Sequence, residues 1–137
     1  MGVTTTATAT FVIDSWEERD ARTHGGAAVG RAELAKTFSG DIVGTSRVDM
    51  LGVTAEDEQS RAYVALEEFD VAVDGRAGTF VLVHHGIMGG TNDGGSWTIA
   101  PGSGSGELSG ISGTAQLVRH DDGSHELVLE YSLGPEA

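Results

Sequence analysis

The sequence predicts an all-β fold: a single closed antiparallel β-barrel of about eight strands, one domain over residues 1–137. Three observations predict it. Eight short runs alternate apolar and polar residues with period two. There are 21 glycines against only 2 prolines, with no simple repeat. Turn-forming clusters separate the runs at nearly even spacing. A two-sheet sandwich would use the same runs. The barrel is preferred because it leaves no exposed edge, and eight strands enclose an interior just wide enough for side chains or one small ligand.

The first run places Ala7, Ala9, Phe11 and Ile13 on one face, with threonines between them. Ala32, Leu34 and Phe38 follow, then Ile42, Gly44, Ser46, Val48 and Met50. Tyr63, Ala65, Glu67 and Phe69 form a fourth face that continues to Val71 and Val73. Phe80, Leu82 and His84 make a fifth, Trp97 and Ile99 a sixth, Ala115 and Leu117 a seventh. Leu127, Leu129, Tyr131 and Leu133 close the series. Asp74-Gly75 is a strong hairpin signal. Residues 17–29, charged and without periodicity, read as a long loop. The stretch from Ala55 to Arg61 has room for a helical turn at most.

Composition excludes several functions. The net charge of −13 repels phosphate backbones, so no nucleic-acid partner is expected. The absence of cysteine removes disulfides, thiol nucleophiles and Cys-based zinc sites. The first residues carry no basic region and no long apolar run, so neither a signal peptide nor a membrane span is expected, and a cytoplasmic location follows. No metal is expected either. His84 and His85 are adjacent on a strand and point to opposite faces, and His120, Asp121, Asp122 and His125 share a turn that would hold an ion only loosely. Gly102-Ser103-Gly104-Ser105-Gly106 fits the serine-nucleophile pattern by letter, but no helix follows it.

The informative residues are polar ones in phase with apolar neighbours. Lys36 lies in phase with Leu34 and Phe38, Glu67 with Ala65 and Phe69, His84 with Leu82, and Tyr131 with Leu129. An ionised group inside a barrel is costly unless paired, so Lys36 and Glu67 are expected to form a pair. As a catalytic set, Glu67 or His84 would move a proton while Tyr131 or Lys36 stabilises developing negative charge. Trp16, Phe38, Tyr63, Phe69, Phe80, Leu82, Trp97 and Leu129 would line the ligand space. The plainer alternative is a structural ion pair with a core tyrosine.

Several stretches together resemble the domain-of-unknown-function 3224 family. They are Phe11-Val12-Ile13-Asp14-Ser15-Trp16-Glu17-Glu18, Lys36-Thr37-Phe38-Ser39-Gly40-Asp41-Ile42, Leu66-Glu67 and Gly78-Thr79-Phe80-Val81-Leu82-Val83-His84. Trp97-Thr98-Ile99-Ala100-Pro101-Gly102-Ser103-Gly104 and Gly106-Glu107-Leu108-Ser109-Gly110-Ile111-Ser112-Gly113 complete the likeness, which spans nearly the whole chain in order. That family in turn resembles the eight-stranded allene oxide cyclase barrel, whose relatives include cofactor-free cyclases. The resemblance implies the fold and, more loosely, an isomerase or cyclase that needs no cofactor and acts on a small hydrophobic molecule. A non-catalytic binder of such a molecule is the alternative. A carboxylate hydrolase built on Glu67 and Asp41 is a third. Outward Val12, Val43, Val81 and Val83 suggest an apolar exterior patch and hence a homodimer or homotrimer.

Overall fold

The computed structural model describes residues 3–91 and 93–134 and contains no helix among them. Nine strands appear in chain order. They are β1 (Thr5–His24), β2 (Ala27–Gly40), β3 (Ile42–Thr54), β4 (Arg61–Val73), β5 (Arg76–Met88), β6 (Gly94–Ile99), β7 (Ser105–Gly106), β8 (Ser112–Arg119) and β9 (His125–Ser132). All pairings are antiparallel. The sheet runs β4-β3-β2-β1-β9-β8-β6-β5, and β4 pairs with β5 to close an eight-stranded barrel. The two-residue β7 adds to β5 from outside that ring, at Gly78 and Thr79.

Every alternating run in the sequence is a barrel strand, and its apolar phase faces inward. Two segments depart from expectation. Residues 17–29 are not a loop: β1 and β2 pair through them, down to His24 opposite Ala27. Two register shifts, between Ile13 and Ser15 and between Arg19 and Arg22, break the period, and the segment is almost wholly exposed, so no apolar alternation marks it. Arg19 instead bridges to Glu33 at 3.4 Å and Glu17 at 3.5 Å. Residues 55–60 form a tight turn, closed by Ala55 N–H on the Ser60 carbonyl at 2.8 Å. The expected loop from Gly89 to Gly95 is shorter, because Gly94 and Gly95 open β6, and it contains Asn92, which lies outside the described residues.

The two ends of the barrel differ. At one end the Asp74-Gly75 turn has both residues at positive φ (49° and 84°), the geometry that matches strand twist in a two-residue hairpin. Backbone bonds from Asp74 to Asp41 and from Asp41 to Thr8 tie the strand ends together. Leu108 and Ile111, from the segment between β7 and β8, are fully buried there and plug the opening. At the other end two strands are short. β9 reaches only to His125 opposite Phe11, and β8 meets β6 only at Thr114 opposite Thr98. The wall is therefore incomplete. Ile13, Leu117 and Trp16 sit opposite the inward residues Lys36, Leu127 and Leu34, yet are 41%, 38% and 49% exposed.

Candidate functional site

Strand pairing stacks the interior in rows. Gly30, Gly52, Tyr63, Gly86 and Gly95 form the row nearest the open end. Below it come Ala32, Met50, Ala65, His84 and Trp97, then Leu34, Val48, Glu67, Leu82 and Ile99. Lys36, Ser46, Phe69 and Phe80 follow. Four polar groups thus meet on diagonals at mid-height, between two apolar clusters.

Glu67 is the hub and is 2% exposed. Its Oε2 accepts the Ser46 hydroxyl at 2.6 Å and faces Lys36 Nζ at 3.3 Å; its Oε1 meets His84 Nε2 at 3.2 Å. The other imidazole nitrogen, Nδ1, lies 3.0 Å from the Tyr63 hydroxyl. Lys36 also sits over the Phe11 ring, 4.5 Å from its centroid. A carboxylate only accepts, so Nε2 carries a proton. In neutral His84, Nδ1 is then the acceptor and Tyr63 O–H donates to it. The result is one chain: Tyr63 O–H to His84, His84 N–H to Glu67.

Burial by itself would raise the Glu67 carboxyl. The His84 hydrogen bond, the Lys36 charge and the Ser46 hydroxyl together outweigh it and hold Glu67 below the ordinary carboxylate range. Tyr63 is raised, by burial first and by the Glu67 charge, against a lowering influence of the nearby Trp97 indole. The Trp97 N–H itself is buried and meets no partner at hydrogen-bond geometry. Its ring stacks near His84, with centroids 6.4 Å apart.

Glycine shapes the open end above the relay. A Cβ on Gly86 would lie 2.8 Å from the Tyr63 ring, so the bare Gly86 backbone lets Tyr63 lean towards His84. Gly52 and Gly30 of the same row are half-buried. With Trp16, Glu18, Ala32 and Met50 they border a half-open hollow of about 180 Å³. Trp16 donates its indole N–H to Glu18 at 3.1 Å.

The structure brings together Glu67, His84 and Lys36 of the expected catalytic set, but not Tyr131. The Tyr131 hydroxyl donates to Asp74 at 2.5 Å at the closed end, and burial and that carboxylate push it up to about 12. Of the expected ligand contacts, Tyr63, Trp97 and Trp16 belong to the open end. Phe38, Phe69, Phe80, Leu82 and Leu129 are instead packed core beneath it, with Phe69 and Phe80 stacked at 4.6 Å. Asp41 is nowhere near Glu67: it accepts the Thr8 N–H at the closed end, so the two carboxylates make no hydrolytic pair. Ser103 is a turn residue, donating to the Ala100 carbonyl at 2.7 Å and accepting the Val81 N–H at 3.0 Å. Sequence reasoning missed Ser46 as a site residue. Its signal was the one that marked Glu67, a polar residue in phase with Ile42 and Val48. Among the described residues no group of three or more His, Asp or Glu side chains is placed to hold a metal ion.

The family described as a protein of unknown function, DUF3224, matches residues 7–131. The chain belongs to the DUF3224 family. A crystal structure of a DUF3224 protein of unknown function from Shewanella oneidensis MR-1 superposes with a TM-score of 0.85 at 33% identity, covering 97% of this chain and 100% of that one. No curated protein matches the chain. The barrel is therefore a fold shared with that DUF3224 protein, and among the described residues of this chain no helix is long and apolar enough to cross a membrane.

Proposed function

We propose that this barrel is a cofactor-independent acid–base enzyme, of the isomerase or cyclase kind, acting on a small, largely apolar molecule held at its open end. The observation that carries the reading is the Tyr63–His84–Glu67 chain, with Lys36 on the same carboxylate. Burying such charges costs several kcal/mol that an apolar row would avoid, and the chain leads from mid-barrel to the one end that is unfilled. Raised by burial, Tyr63 is protonated at neutral pH and serves first as an acid. When His84 holds a second proton, Nδ1–H donates to the Tyr63 oxygen and frees the phenolic O–H for substrate. As Tyr63 gives up its proton, His84 replaces it from Nδ1 and becomes neutral, and Glu67 stabilises the imidazolium that precedes this transfer. Taking a proton back from a different substrate atom, through the Tyr63 oxygen to His84 Nδ1, restores the relay and completes an isomerisation with no redox partner. The hollow is lined by Gly52, the strand partner of Tyr63, rather than by Tyr63 itself, and has the size of a site for a single ring. The resemblance to the allene oxide cyclase barrel belongs to this reading.

Deuterium uptake from D2O into a panel of small cyclic ketones and enones, followed by proton NMR, tests it. Exchange is expected with the native protein and a loss on the order of 100-fold or more in Tyr63→Phe and His84→Gln, each still folded by circular dichroism. Exchange unaffected by His84→Gln overturns the catalytic reading. Binding of the panel without exchange supports non-catalytic sequestration in its place.

A further inference from the structure

The outer wall of the barrel carries an apolar face that the sequence did not delimit. Val12, Val43 and Val83 are exposed, as expected, while Val81 is half-buried, and Val12 and Val43 lie on β1 and at the far end of β3, apart from one another. The register of β3, β4 and β5 gathers a different set. Val53, Ala62 and Ile87 are paired across the three strands; so are Leu51, Val64 and His85; so are Asp49, Leu66 and Val83. Leu51, Val53, Val64, Leu66, Val83 and Ile87 are thus contiguous, and each is between 38% and 56% exposed. Two depressions, of about 630 and 320 Å³, run over this face. A monomer rarely leaves so many large aliphatic side chains adjacent in water.

Charge decides what covers it. The chain as a whole carries −13. The outward positions bordering this face hold Arg31 and Arg47 against Glu33, Asp49 and Glu68, a local balance of −1 that leaves −12 for the rest of the molecule. Arg31 bridges to Asp49 at 3.6 Å and Arg47 to Glu33 at 3.9 Å within the chain. A cationic partner would be drawn to the acidic remainder, and an anionic surface would be repelled by it. Two copies of the chain meeting here avoid most of their mutual repulsion. We infer that this face joins two copies in a two-fold dimer, with the central strand β4 bringing Val64 and Leu66 closest to the axis.

Sedimentation equilibrium on the full chain is the test. The expected mass at micromolar concentration is twice the 14.2 kDa chain mass. Leu66→Lys and Val64→Glu alter exposed side chains, so both are expected to keep the native circular dichroism while weakening association on the order of 100-fold. Val12→Lys, equally exposed but on β1, is expected to remain dimeric. Added salt is expected to tighten the dimer, because it screens the repulsion between the acidic remainders. A monomeric or trimeric native protein, a dimeric Leu66→Lys variant, dissociation by Val12→Lys, or weakening by salt each overturns the assignment.

Discussion

The closed and open halves of this barrel are built from the same strands but packed by opposite rules. In the closed half, most inward positions carry apolar side chains that meet across the axis, and glycines among them such as Gly44 and Gly78 sit where a Cβ would strike neighbouring backbone. Phe11, Phe38, Phe69 and Phe80 form a ladder with neighbouring centroids between 4.6 and 5.2 Å, and Leu108 and Ile111 seal it. In the open half, inward positions fall to glycine at four of five sites in one row, and two strands stop short. The closed half holds the fold together. The open half keeps space that packing would otherwise remove, and between the two lies the diagonal cluster of Lys36, Glu67 and His84. Stability and the candidate chemistry are thus segregated along one axis rather than mixed around it.

That segregation orders the consequences of substitution. The largest effect belongs to the ladder. Phe69 is 2% exposed and touches aromatic rings on both sides, so Phe69→Ala is expected to cost about 4 kcal/mol, through lost burial and the cavity left behind. Urea denaturation measures it. A loss below about 1 kcal/mol would mean that the closed half is loosely packed and the contrast unfounded.

Next comes the charged cluster. Glu67→Gln leaves Lys36 buried without its counter-charge and is expected to cost roughly 3 kcal/mol. Lys36→Met with Glu67→Leu removes both charges and is expected to recover most of that loss. The pH dependence has a definite sign. Glu67 is held below its ordinary value of 4.5 in the folded state, so its contribution is present above about pH 4.5 and disappears as pH falls through the lower folded value. Acid unfolding of the Glu67→Gln variant is therefore expected to be shallower than that of the native chain. Equal acid sensitivity in the two would mean that Glu67 is not ionised in place.

The same axis explains what was legible in the sequence. Alternation reports whether a side chain points in or out, and it identified all eight barrel strands and the inward set of Lys36, Glu67, His84 and Tyr131. It carries no information on height along the barrel. Height comes from register, and register places Tyr131 against Asp74 at one end and Tyr63 against His84 at the other. Register thus puts Tyr63, not Tyr131, beside His84 and Glu67, and Tyr131, Phe38, Phe69 and Phe80 all belong to the core. Alternation also fails where both faces of a ribbon are wet, which is why the paired segment from Glu17 to Val29 read as a loop.

The smallest effect on stability should come from the open half, and it sharpens the comparison most. Gly44, in the closed half, has φ 140°, and a Cβ there would strike the Asp70 carbonyl and come within 2.8 Å of the Val71 Cα. Gly52, on the same strand at the open end, has no positive φ, and its nearest neighbours to an added Cβ are the Ala62 carbonyl at 3.5 Å and the Tyr63 Cβ at 3.8 Å, ordinary contact distances. Nothing in the fold therefore requires glycine at position 52. Gly52→Ala is expected to stabilise the protein by about 0.4–1 kcal/mol, because alanine narrows the unfolded ensemble and fits the native backbone. The added methyl enters the hollow beside Trp16 and Met50, so affinity for any ring-sized molecule that binds there is expected to fall while the melting temperature rises. A thermal shift and a binding titration on the same variant read both quantities. If stability falls instead, Gly52 serves the fold and the open half is not reserved space; if stability rises with affinity unchanged, the hollow is not where the ligand sits.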